Sequence, residues 1–489
     1  MFYESPMRYL SLDLRALSLM RMCIAAVIMF DLAIRLNDLE AFYANSGVAP
    51  LPMIFENYWN DYFLSIHTVS GLWQVQLVLF MFSFFCAVML FIGYRTRLFT
   101  CLSWFMLLSL HNRNGLILQG GDDMLRMVLF WGMFLPWGAR YSCDRILGYQ
   151  LNAPKGLISA ATIAYILQVC YLYTGSALLK GPEWHTDFSA VYYAYSLDQI
   201  AYPLTKLVYH SPELLKVLTA IAYYFELLIP LLFFIPFKHA FFRTTAVISI
   251  ILFHFINAST LLIGLFPFIG MATIVGILPS TAMDKLDHLK SRFNESVKSS
   301  FASIATFAGS ILRWRKPNEL PPLMQSLRTG ALIFLIFFVF DWNFSNLSFV
   351  NAKLSGDLRW IGYGLRLDQN WGMFAPGVFK DDGWYVMEGV TKKGEHIDLI
   401  RNGSKPFYEK PESVVSMFPN DRWRKYKENF IFADHEFMRG YFSNYNKRIW
   451  NESHPEQQID TLRVYYISEL TLPDYQYSEP KKCMLWECY

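Results

Sequence analysis

The sequence predicts an all-α polytopic transmembrane helix bundle of about nine spans, followed by a small α+β, β-rich extracytoplasmic domain. Three observations carry that expectation. The 489 residues are 54% hydrophobic and only 17% charged, whereas globular domains average about 25% charged. Apolar runs of spanning length recur through residues 1–346. After residue 347 the composition turns polar, which divides the chain into a bundle, 1–346, and a soluble tail, 347–489. This pattern excludes a disordered chain, a disulfide-rich secreted scaffold and an ordinary soluble enzyme. Net charge is +3 with no basic block, so no nucleic-acid partner is expected, and the lipid bilayer is the first partner.

A spanning helix needs about 20 mostly apolar residues. Nine segments meet or approach that length: 14–36, 72–94, 97–112, 123–138, 157–180, 214–236, 241–261, 263–280 and 328–346. The third, fourth and eighth are short. The first begins near Leu14, contains Arg15, Arg21 and Asp31, and lacks a small-residue cleavage site, so it does not read as a cleavable signal peptide. Lys and Arg mark alternate loops: Arg95 and Arg97, then Arg140, Arg145 and Lys155, then Lys238 and Arg243, then the long loop 281–327. Residues 37–71 hold no Lys or Arg. The positive-inside rule therefore places the N-terminus and loop 281–327 in the cytoplasm and the tail outside. Five of the seven cysteines, Cys23, Cys86, Cys101, Cys143 and Cys170, lie in or beside apolar runs, where Cys is usually a small buried hydrophobe.

In the tail, Trp384–Val390 and Glu395–Ile400 flank Thr391-Lys-Lys-Gly394 and read as a β-hairpin. Arg463–Leu472 reads as a further strand and Asp421–Phe430 as a short helix. Trp371-Gly-Met-Phe-Ala-Pro376 is expected to pack the domain against the membrane face. Cys483 and Cys488 either pair with each other or remain free thiols.

Ionisable residues within spans are costly, and for that reason informative. His111-Asn-Arg-Asn114 with Gly120-Gly-Asp-Asp123, Lys180-Gly-Pro-Glu-Trp-His185, and His254-Phe-Ile-Asn257 all fall at loops on the same side of the predicted topology. Glu226 adds a carboxylate within the sixth span. Each has a plainer reading: Asp122 as a helix N-cap, His254 and Asn257 as a polar helix face bonded across helices, Lys180 as an amine reaching the interface. Lys180 is the sharpest candidate, because an amine withdrawn from water is a base. Glu183, three residues on, is the group that stands to hold it protonated. The histidines have no metal-ligand spacing, so no metal is expected, and there is no Walker loop, dinucleotide fingerprint or nucleophile elbow.

The order of these segments resembles the HTTM family, bacterial relatives of vitamin K-dependent gamma-glutamyl carboxylase. The similar stretches are Asp13-Leu-Arg15 to Arg21, Gly120-Gly-Asp122 to Arg126 with Leu135-Pro136, Tyr171 to Trp184, and His254 to Asn257 with Ile263 to Pro267 and Leu278-Pro279. In the tail they are Gln369 to Pro376, Asp382-Gly-Trp384 and Arg422 to Tyr426. The resemblance implies a quinone-dependent carboxylase or epoxidase-type membrane enzyme using a reduced quinone of the vitamin K type. Lys180 would then be its base and His254 a second proton carrier. Asp122, His111, Asn257, Trp184 and Glu226 would line the substrate and cofactor site. A tail of about 140 residues is short for the animal enzyme's propeptide-binding domain. The competing expectation is a non-enzymatic membrane protein that binds lipid or assists maturation or export of a peptide.

Overall fold

The computed structural model describes residues 8–148, 155–291, 321–345, 347 and 356–489. Much of the loop expected at 281–327 lies outside them, including Arg292, Lys298, Arg313, Arg315 and Lys316.

The helices start where the sequence supplies caps. Helix α1, Leu14–Asn37, follows Asp13, whose carboxylate accepts the Arg15 amide at 2.8 Å. Helix α2, Trp73–Ile92, ends at Gly93 with φ +69°, a conformation glycine adopts without strain. Then come α3, Thr96–Arg113, α4, Gly120–Gly132, and α5, Ala160–Leu179. The last opens on a reciprocal Ser159–Thr162 capping box. Next are α6, Pro212–Leu228, α7, His239–Thr260, α8, Phe266–Ile274, α9, Ser280–Ser291, and α10, Pro322–Phe344.

Six of the helices described are long and apolar enough to cross a membrane: α1, α2, α5, α6 with the turn after it, α7 and α10. A seventh is reached if the pair Phe266–Ile277 and Ser280–His288, bent by 102°, forms one broken span. The expectation of nine spans is therefore corrected. The segments at 97–112 and 123–138 became α3, which ends in buried His111, Asn112 and Arg113, and α4, of 13 residues. Helix α4 is buried along most of its length, and α3 buries Met106–Arg113 while exposing Leu98 and Phe105, so the polar side chains of both sit inside the bundle. By contrast α2, α7 and α10 expose Met81, Phe82, Ile248, Phe255, Phe334 and Phe337, an apolar surface suited to a lipid solvent.

The bundle has two chemically distinct ends. At one, Arg243 donates to the Ser11 carbonyl, Arg15 pairs with Asp284 and Asp287, and Asp144 accepts the amides of Arg95 and Thr96. At the other, Arg113 donates to the carbonyls of Tyr43 and Ala49, and the C-terminal part of the chain docks. That part is a four-stranded antiparallel sheet of order β2-β1-β3-β4, from β1, Asp381–Thr391, β2, His396–Asp398, β3, Ile459–Leu470, and β4, Lys481–Cys488. The hairpin expected around Gly394 forms, with Glu388 opposite Asp398. Two helices accompany the sheet: α11, Asp421–Ile431, capped by Asn420, and α12, Phe437–Ser453. Neither α12 nor β4 was expected. Cys483 and Cys488 are both free thiols. One apolar core runs without a break from Leu12 in the bundle to Tyr466 in the sheet.

Candidate functional site

A cavity of about 1170 Å³ lies between the docked end of the bundle and the C-terminal sheet. Its membrane-side wall is built by α5, α6 and α7. Positions 173, 176 and 180 share one face of α5, since residues three and four apart on a helix are stacked. That face carries Tyr173, Ser176 and Lys180 into the cavity. Lys180 is 6% exposed; its Nζ donates to Ser176 Oγ at 2.8 Å and to the carboxylate of Glu226 from α6. The ring centroid of Trp184 is 4.5 Å from the same nitrogen. From α7, His254 is fully buried, with Nε2 2.8 Å from the Tyr173 hydroxyl and Nδ1 without a hydrogen-bond partner among the described residues. Gly270 of α8 gives the imidazole its room, since a Cβ there would stand 2.2 Å from Nε2. Asn257, one turn after His254, lines the same wall.

Lys180, Trp184, Glu226, His254 and Asn257 thus border one cavity. Asp122 and His111 are not among its lining residues, which corrects the expectation that all these groups converge. They sit in a separate buried ion network. Asp122 accepts from Arg35 at 2.7 Å and from Arg422 at 2.5 and 2.9 Å. It also accepts the Gln119 amide at 2.9 Å, and His111 Nε2 lies 3.3 Å away. Asp31 accepts from Arg35 and Arg422, each at 2.8 Å. Asp31, His111 and Asp122 have donor atoms close enough for a metal ion, but two guanidinium groups already take the cationic positions. Gln119, not Asp122, is the N-cap of α4; Asp122 stands at the third helical position and accepts the Gln119 amide. Glu183 is also resolved: it pairs with Lys380 at 3.0 Å and accepts the Val378 amide, leaving Lys180 to Glu226.

The loop 369–376 forms much of the cavity's other side. Trp371 is buried and donates to Gln369, which accepts from Gln168 of α5. Gly181 donates its amide to the Pro376 carbonyl at 2.6 Å, and Trp184 Nε1 donates to the Phe374 carbonyl at 2.9 Å. The aromatic segment expected to pack the domain against the membrane face packs along α5, next to Lys180. Sequence reasoning missed Tyr173 and Ser176, although their spacing from Lys180 was a usable signal. It missed the contact of Arg422 with Asp122 altogether.

Comparison of the chain with family models, with curated proteins and with solved structures finds no match in any of the three. The fold and cavity define a largely helical, multi-span integral membrane protein with a small C-terminal β-rich domain.

Proposed function

We propose that the protein is a membrane enzyme of the reduced-quinone-dependent carboxylase or epoxidase type, as its resemblance to the HTTM family implies, with Lys180 as the base. The observation that supports this reading is the meeting of the Lys180–Glu226 pair and the Tyr173–His254 pair on one large cavity with aromatic walls. The donor set suits a quinol. Leu172, Phe253 and Phe374 offer apolar surface for a ring and chain, and the buried, unpartnered Nδ1 of His254 is a polar atom available to a ligand. Such a quinol supplies, when bound, a weakly acidic hydroxyl and two reducing equivalents. The chain supplies positioning and proton transfer. Ser176 fixes the Lys180 rotamer, Glu226 takes up or returns the proton that Lys180 exchanges, and Trp184 and loop 369–376 keep water from the amine. His254 and Tyr173 form a second proton path a short distance along the wall.

The C-terminal domain is assigned to the outer side, in a bacterial inner membrane, because the opposite end of the bundle carries the basic loops. A second reading, non-enzymatic lipid binding, is favoured by one observation: Lys180 and Glu226 satisfy each other within the protein. Oxygen uptake by protein-containing membranes supplied with a reduced quinone separates the two. Lys180→Met should lower uptake by about 10²-fold or more, the usual contribution of a positioned base, at unchanged protein level. Uptake equal to wild type removes Lys180 from the mechanism. No uptake in the wild type, with phospholipid and no quinone in organic extracts of the purified protein, leaves the lipid-binding reading.

A further inference from the structure

A second group of ionisable residues lies on the sheet side of the same cavity. Asp382 and Glu469 are register partners across β1 and β3. Asp198 reaches them from the bundle, in the loop after residues 190–196. One carboxylate oxygen from each of the three lies within 4.8 Å of the others. Like charges directly opposite on neighbouring strands are destabilising, and Asp382 and Glu469 are only 1% and 5% exposed. Lys410 is the one cation among the described residues that ion-pairs with the group, to Asp198 at 2.6 Å and to Glu469. It does not satisfy Asp382. That side chain accepts the Asp198 amide through Oδ2 at 2.5 Å, while its Oδ1 has no hydrogen-bond partner among the described residues. Three carboxylates against one ammonium leave an excess of negative charge, and a buried carboxylate oxygen without a partner is costly.

The donor set identifies what would relieve it. All the ligands are carboxylate oxygens, with no His or Cys, which selects a hard cation over zinc. Two oxygens bound to one ion at the calcium distance of about 2.3–2.6 Å are separated by at most about 5 Å, and at the magnesium distance of about 2.0–2.1 Å by about 4 Å. All three separations fall within the span that one calcium-sized ion bridges, and calcium tolerates irregular carboxylate geometry where magnesium demands a near-ideal octahedron. Asp382 and Glu469 line the cavity, which gives an entry path.

We propose that Asp198, Asp382 and Glu469 form a binding site for a divalent cation of the calcium type, and that the Lys410 ammonium holds the site until the ion displaces it. A bound ion ties the bundle loop at Asp198 to the sheet and so braces one wall of the cavity. The assignment does not depend on the chemistry proposed at Lys180.

The test uses the full-length protein in detergent, stripped with chelator and titrated with CaCl2 or MgCl2 by calorimetry and thermal unfolding at constant ionic strength. Saturable binding of calcium, tighter than magnesium, is expected at a dissociation constant of about 0.1–1 mM, the weak end of carboxylate sites. Asp382→Asn and Glu469→Gln should each weaken it by about tenfold or more, and Lys410→Met should tighten it by about tenfold by removing the competing charge. If Lys410→Met lowers the unfolding temperature in chelator, calcium should restore it and magnesium should do so less. Absence of saturable calcium binding up to about 10 mM, or binding unchanged in both carboxylate variants, overturns the site. Unchanged or weaker affinity in Lys410→Met overturns the place-holding role.

Discussion

Lys427 of α11 carries an amine into the interior of the C-terminal domain, 6% exposed, with its nitrogen 5.3 Å from the ring centroid of Tyr385 and 5.4 Å from that of Phe418. Burial pushes its pKa down from 10.5 to about 8, against a weaker pull from Asp398. The folded value lies below the unfolded one, so between pH 8 and 10.5 the unfolded chain binds more protons and stability rises with pH. Below pH 8 the full cost of the buried group is present. A shift of this size corresponds to about 3 kcal/mol. Lys427→Met should therefore stabilise the protein by about 2–3 kcal/mol at pH 7, and the gain should vanish by about pH 10.5. Thermal unfolding at several pH values checks this; a gain independent of pH would mean that packing, not charge, is responsible. At this scale the sequence was most readable where an ionisable residue interrupts an apolar run. Lys180, Glu226 and His254 stand out for that reason. Tyr173 and Ser176 do not, because a tyrosine or serine inside a helix is ordinary until the groove it faces is known. Lys427 is equally hidden, one of two lysines in a charged helix whose buried face only tertiary contact decides.

At the scale of elements, the six long apolar helices coincide with expected spans because length and hydropathy alone identify them. The misreadings share a cause. Helix α4 and the C-terminal half of α3 are buried by the rest of the protein, and composition does not distinguish protein from lipid as the surrounding medium. With the bent pair Phe266–Ile277 and Ser280–His288 taken as one span, the count of seven keeps the odd parity of nine and puts Asp13 and the C-terminal domain at opposite ends of the bundle, as the contacts of α1 do. With native thiols replaced, single cysteines at positions 190–205 or in the tail should react with an impermeant reagent added outside intact cells. One at position 285, on α9 beside the Arg15–Asp284 pair, should react only after permeabilisation. Labelling of position 285 in intact cells would reverse the proposed orientation. In the tail, the β1–β2 hairpin was legible from Gly394 and its flanking apolar strands. Strand β4 was not: Lys481-Lys-Cys-Met484 is largely polar and exposed, and pairing with β3 is what makes it a strand.

The whole molecule is held together by a contact no local pattern announces. Arg422, on α11 of the C-terminal domain, inserts between α1 and α4, bonding Asp31, both oxygens of Asp122 and the Ile117 carbonyl. Arg35 completes an arrangement of two guanidinium groups and two carboxylates, each residue at most 5% exposed. Its members lie up to 391 positions apart in the chain, so their charges looked like separate helix-end residues in the sequence. Burying four charges is costly, and such a network repays that cost only while every member is present. Arg422→Met keeps most of the stem's packing but leaves two buried carboxylates sharing Arg35. The expected loss is about 3–5 kcal/mol, read as a lower unfolding temperature. Arg422→Lys should recover only part, because a single ammonium cannot reproduce the forked bonds to Asp31 and Asp122. Adding Asp122→Asn to Arg422→Met should restore stability relative to Arg422→Met alone, since it removes the stranded carboxylate, although Asp122→Asn by itself destabilises. That sign reversal in a double-mutant cycle separates a charge network from simple packing. If the two losses merely add, the domain is held by its apolar contacts and Arg422 is incidental.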